Sequence, residues 1–209
     1  MAARSTTAST SDARFDAVVV GGSAGALEVL RQILRTMPAT TAVPVVVVLH
    51  LPPRPPEGLP ELLARDCLLA VQQAEDKEPL QPGVVYLAPP GYHLLIESHR
   101  AFALSVDDPV HFSRPSIDVL FQSARDTYGG RLLAMLLSGA SADGAAGLHE
   151  VAAVGGITIV QSPAASEAAA MPSAALALFK PTYVWTPAEM TKELPSLFAV
   201  RSSMLGSPA

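Results

Sequence analysis

A chain of 209 residues with 49% hydrophobic and 16% charged residues has the size of one ordinary domain and the apolar content to build a core. That excludes global disorder and two full catalytic domains, while a net charge of −5 with no cluster among the 14 Lys and Arg residues excludes nucleic-acid binding by phosphate neutralisation. One cysteine, Cys67, closes no internal disulfide, no apolar run reaches the roughly 18–20 residues of a membrane span, and Met1–Arg14 lacks the apolar core of a secretory signal. A soluble, cytoplasmic domain is expected.

Residues 1–14 and 201–209, rich in small and polar residues, read as flexible tails around a domain over 15–200. Asp16–Val20 is a β-branched strand that stops at Gly21-Gly22. Leu27, Leu30, Leu34 and Met37 recur at helical spacing, so 26–37 is a helix, ended by Pro38. Val43–Leu49 holds an unbroken valine run, the pattern of a strand covered on both faces in a parallel sheet, and His50 follows at once. Residues 51–60 carry five prolines and form a loop, with a short helix starting at Glu61.

Gly83–Ala88 and His93–Glu97 are strands joined by Pro89-Pro90-Gly91-Tyr92, as a hairpin or a β-arch, and Phe102–Val106 pairs with them as an antiparallel edge. Pro115–Thr127 is a helix with Ile117, Leu120, Phe121 and Ala124 on one face and Gly129-Gly130 as its stop. Strand 131–137, helix 144–154, strand 157–161, short helices over 166–170 and 173–178, and strand 183–185 complete the domain. The alternation predicts an α/β fold: a doubly wound, mostly parallel sheet with helices on both faces and an antiparallel edge hairpin.

In such sheets a site lies beyond the carboxyl ends of the strands. Ser23 stands there in Gly21-Gly22-Ser23-Ala24-Gly25, a G-x-S-x-G between a strand and a helix, the pattern of a nucleophile elbow. His50 ends the valine strand, and Asp143 lies between strand 131–137 and the next helix. Serine, histidine and aspartate at three strand ends are the parts of an acyl-transfer triad. The order Ser–His–Asp differs from the Ser–acid–His order of α/β-hydrolases, so the sheet is a different one. The blander alternatives are a phosphate-cradling turn at Ser23, a loop histidine at His50 and an N-cap at Asp143. The bend at Pro89-Pro90-Gly91 makes His93 a cleft-lining candidate. Asp107, Asp108, Asp118 and Asp126 read as solvated charges, and no Cys/His spacing supports a metal site.

At these residues the chain resembles the catalytic domain of CheB-type protein-glutamate methylesterases, which demethylate chemoreceptors. The blocks VVVGGSAGALEVL, VVVLHLPP, AEDKEPLQPGVVYLAPPGYHL, RPSIDVLFQSA, LLSGASADGAAGL and EAAAMPSAA carry the resemblance over roughly residues 16–185. It implies a serine triad of Ser23, His50 and Asp143, with backbone N–H groups at Ala24 and Ala140 holding the oxyanion. The EAAAMPSAA block adds Met171 as a cleft-lining candidate. Departures from the family pattern are Ala24, Ala26 and Ala140, where relatives carry a hydroxyl residue, a glycine and a methionine. With the first strand near residue 16, no room is expected for a preceding receiver domain, so the cleft would be open constitutively.

The resemblance implies hydrolysis of γ-glutamyl methyl esters on methylated chemoreceptor-like proteins, releasing methanol, with receptor glutamine deamidation as a related reaction. No cofactor is implied, nor any nucleic acid or direct membrane insertion, and signalling proteins are the further partners expected. Two other classes fit the residues: an esterase for small esters, and a non-catalytic signalling module on the same fold.

Overall fold

The computed structural model describes residues 14–50 and 58–198. The expected tails, Arg14 apart, and most of the proline-rich loop lie outside the described residues. Seven strands form one parallel sheet: β1 (Ala17–Gly22), β2 (Val45–Leu49), β3 (Ala70–Gln73), β4 (Val84–Leu87), β7 (Leu132–Leu136), β8 (Ile157–Gln161) and β9 (Tyr183–Trp185). Their spatial order is β3-β4-β2-β1-β7-β8-β9. The chain first builds outward from β1 on one side, then returns to add β7, β8 and β9 on the other. Strand order therefore reverses at β1/β7, the place where open α/β sheets leave a crevice.

Alternate residues of the central strands feed two cores, because successive side chains point to opposite faces. On one face Val18, Val20, Val45 and Val47 pack against α1 (Ala26–Thr36) and α6 (Pro187–Phe198). On the other, Ala17, Val19, Val46 and Val48 meet α3 (Ile117–Tyr128), α4 (Ala145–Ala153) and the hairpin of β5 (His93–Ile96) and β6 (Phe102–Ser105). The valine run of β2 is fully buried for that reason. Two short helices, α2 (Leu59–Ala64) and α5 (Ala170–Leu178), complete the set.

The doubly wound fold matches the expectation, and several details differ from it. The antiparallel hairpin is β5–β6, and it forms a two-stranded sheet of its own instead of an edge of the main one. β4 and β5 do not pair: β4 lies parallel to β2 and β3 inside the large sheet, so residues 89–92 bridge two sheets as an arch. β3 has no expected counterpart, because it is four mostly exposed residues of which Val71 alone packs against the core. Residues 166–169 are not helical; a 3₁₀ turn at Pro163–Ala165 precedes α5. α6 has no counterpart among the expected elements, since Pro195 interrupts its pattern, although Thr186 and Glu189 form a reciprocal capping box at its start. Among the described residues no helix is long and apolar enough to cross a membrane.

Candidate active site

The parallel register of β1 and β2 ends with Gly22 opposite Leu49, and the His50 N–H donates to the Gly22 carbonyl at 3.0 Å. Ser23 and His50 are thus the next residues on two adjacent strands. On the other side the Ser23 N–H donates to the Ser138 carbonyl at 2.8 Å, just past β7. The strand–Ser–helix turn is present, but Ser23 does not take the left-handed conformation; that falls to Gly25, with φ 75°. A Cβ there would lie 2.5 Å from Glu167 Cβ, so the turn needs glycine both for φ and for space. Among the described residues Ser23 Oγ has no hydrogen-bond partner.

Asp143, fully buried, stands 2.8 Å from His50 through Oδ2 and Nε2. Its carboxylate also accepts from Ile117 N–H at 2.7 Å, Asp118 N–H at 3.0 Å and the Ser116 hydroxyl at 2.8 Å. These donors are the start of α3, so the charge sits at a helix N-terminus and its positive dipole end. Burial works against ionisation most strongly, yet the His50 ring, the two N–H groups and the hydroxyl outweigh it and hold the carboxyl below the ordinary range. An ionised carboxylate only accepts, so His50 Nε2 carries the proton. Nδ1 is then the basic nitrogen, with Ser113 Oγ 3.4 Å away.

Asp118 corrects its expectation as a solvated charge. It is 4% exposed, and its carboxylate accepts from the Gly147 N–H at 2.7 Å in the first turn of α4. The two aspartates cap each other's helices: Asp143, just before α4, holds the start of α3, and Asp118, in α3, holds the start of α4. Burial, reinforced by the nearby Asp143 charge and opposed by the Gly147 N–H, pushes the Asp118 carboxyl above its usual range.

His93 lies behind the cleft rather than on its wall. It is 2% exposed; Nδ1 accepts from the Ser116 N–H at 3.1 Å and Nε2 faces the Asp108 carbonyl at 3.1 Å. Its service is to fix Ser116, which in turn binds Asp143. Met171 is also fully buried and packs beneath Gly139, whose carbonyl accepts its N–H at 2.9 Å. Ala24 and Ala140 are exposed at the two loop tips flanking Ser23, and their N–H groups have no acceptor among the described residues.

Sequence reasoning missed Ser116 and Ser138. Ser116 is the N-cap of α3, legible as a serine just before a periodic apolar run. Ser138 ties the site together: its hydroxyl donates to the Ala24 carbonyl at 2.7 Å and accepts from the Ala168 N–H at 2.9 Å. A cleft of about 510 Å³ opens beside His50, lined by Leu49, Pro90, Phe112, Ser113 and Arg114 among others. As for metals, His111, Asp118 and Asp143 present ligand atoms within 4.8 Å of one another. The N–H donors that already occupy Asp143 make that space a poor cation seat.

A parallel α/β sheet with a serine and a histidine–carboxylate pair at the carboxyl ends of its central strands has the layout of a serine hydrolase built outside the α/β-hydrolase chain order. The chain matches the family described as CheB methylesterase over residues 18–194, and it belongs to that family. A protein of Leptospira interrogans is 41% identical over 170 residues, covering 81% of this chain and 88% of its own length. A protein-glutamate methylesterase/protein-glutamine glutaminase of Methanospirillum hungatei is 37% identical over 180 residues, 86% of this chain and 51% of the relative. This chain thus spans about half of that longer protein. The crystal structure of the Thermotoga maritima CheB methylesterase catalytic domain superposes with a TM-score of 0.82 at 30% identity, over 88% of this chain and 98% of the other.

Proposed function

We propose that this protein is a protein-glutamate methylesterase that hydrolyses γ-glutamyl methyl esters on chemoreceptor-like proteins and releases methanol. The supporting observation is the His50–Asp143 pair held by an ionised, fully buried carboxylate at the strand end next to Ser23.

Ser23 Oγ attacks the ester carbonyl while His50 Nδ1 takes its proton. Asp143 keeps the proton on Nε2 and stabilises the imidazolium that forms. The free N–H groups of Ala24 and Ala140 face the developing oxyanion, each worth about 3–4 kcal/mol by comparison with other serine hydrolases. The tetrahedral intermediate collapses as His50 returns the proton to the methoxide. Water, deprotonated by His50, then cleaves the acyl-enzyme to the free glutamate. The same steps on a glutamine side chain expel ammonia, a slower reaction because an amine leaves less readily; this is the second activity in the Methanospirillum relative's name. This chemistry needs no cofactor. The lone cysteine and the receptor substrate support a cytoplasmic setting for this reaction.

Methanol release from a methylated receptor fragment tests the reading. Ser23→Ala should fold and lose about 10⁴–10⁶ in kcat. A variant that keeps more than about a hundredth of the rate rules out Ser23 as nucleophile.

A further inference from the structure

Beside His50 the chain makes a two-residue turn with an unusual sequence. Val110 and Ser113 exchange backbone hydrogen bonds at 3.1 and 2.9 Å, and the residues between them, His111 and Phe112, have φ 49° and 61°. A turn with two positive φ values in succession draws Asn-Gly or Gly-Gly, because a β-carbon is strained there. Lys77 and Arg100 are the other non-glycine residues in that region among those described, and each stands alone. The turn is held on both sides of Phe112. His111 Nε2 lies 3.4 Å from Asp118 Oδ2, and Ser113 Oγ lies 3.4 Å from His50 Nδ1. Arg114 next in the chain donates to the Val106 and Asp107 carbonyls at 2.6 and 2.9 Å.

Phe112 is 103% exposed, so its side chain finds no packing among the described residues to offset the backbone strain. The contacts that hold the turn come from its neighbours and not from the Phe112 side chain, and strained positions of that kind cluster where a ligand is met. Phe112 is one of the residues that line the cleft beside His50, together with Leu49, Ala88, Pro90 and Arg114. A polypeptide that lies in this cleft with its ester at His50 meets Phe112. An apolar wall with one guanidinium suits a polypeptide that shows an apolar face and carboxylates. Arg114, which has no ion-pair partner among the described residues, is the cation at that point on a chain of net charge −5.

We propose that Phe112 is the substrate-docking residue of this enzyme: the strained turn presents its ring to the apolar face of the polypeptide around the methylated glutamate, with Arg114 beside neighbouring carboxylates. The inference rests on the methylesterase reading and deepens it. A small ester needs only the reacting groups, whereas a protein ester also uses the ring.

The test compares wild type, Phe112→Gly and Phe112→Leu on two substrates, a methylated chemoreceptor fragment and p-nitrophenyl acetate. Phe112→Gly should raise KM for the protein substrate about tenfold, the scale of losing an exposed aromatic anchor, with kcat and the small-ester kcat/KM within about twofold. Its Tm should be no lower than wild type, since glycine accepts the left-handed conformation and the ring packs on nothing. Phe112→Leu should recover part of the protein KM. An unchanged protein KM, an equal loss on both substrates, or a lowered Tm in the glycine variant overturns the proposal. Wild type that cleaves p-nitrophenyl acetate but not the methylated fragment sinks the methylesterase reading and this inference together. Wild type active on both, with variants that match it, sinks the docking role alone.

Discussion

Asparagine at position 143 meets four donors that converge on the carboxylate: Ser116 Oγ–H, Ile117 N–H, Asp118 N–H and the protonated Nε2 of His50. Its amide offers one acceptor oxygen and one NH₂, so a donor must face a donor in either orientation. With the nitrogen in the Oδ2 place, it opposes both Ile117 N–H and His50, and the imidazole must switch tautomer. With the nitrogen in the Oδ1 place, it opposes Asp118 N–H, while the Ser116 hydroxyl can rotate to accept. The second arrangement is the cheaper. It strands one buried backbone donor, a cost of about 1–3 kcal/mol in stability. It preserves the His50 tautomer but removes the charge-assisted bond to the imidazolium, about 1.5–3 kcal/mol or roughly 10–10² in rate. The wrong-tautomer orientation would cost nearer about 10⁴. Asp143→Asn should therefore fold, unfold in urea at lower concentration than wild type, and lose about 10²-fold in kcat on the methylated fragment. The size of the loss reports which way the amide points. A kcat within about fivefold of wild type, or a larger loss in Asp118→Asn than in Asp143→Asn, refutes Asp143 as the orienting carboxylate.

Two further outcomes follow from the same region. Because the Asp143 carboxyl is held below its ordinary range, the fold binds the ionised form more tightly than the unfolded chain does. Its contribution is full above the unfolded pKa near about 3.9 and is lost as pH falls through the lower folded value, so the stability gap between wild type and Asp143→Asn should be wide at neutral pH and narrow below roughly pH 4. Urea melts at the two pH values check this, and a gap that widens on acidification contradicts it. Gly21→Ala would place a Cβ 2.2 Å from Ile117 Cγ2, against a fully buried side chain at the start of α3. A stability loss of about 1–3 kcal/mol with a fall in kcat is expected, since moving Ile117 disturbs an N–H that holds Asp143. Unchanged activity in the folded variant would show that the α3 terminus tolerates displacement.

What the sequence alone determined was whatever local pattern encodes. The valine run of β2, the 3.6-residue periodicity of α1 and α3, and glycine stops at strand and helix ends are signals within a few residues of one another, and they gave the α/β alternation. Placing Ser23, His50 and Asp143 at strand ends followed from those boundaries. The tertiary structure alone decided which elements touch. β4 and β5 look like one hairpin in sequence, yet β4 finds β2 and β3 while β5 finds β6. Asp118 looks solvated because it carries charge on a helix start, and only the approach of α4 shows that the Gly147 N–H donates to it. His93 looks like a cleft residue because it follows a bend, and only the packing of the α3 start and of the Asp108 backbone shows both its nitrogens turned to backbone. Periodicity specifies which face of an element is apolar, but not which neighbour covers it. A buried carboxylate is ionised or neutral according to donors that arrive from elsewhere in the chain, here from 25 to 93 residues away.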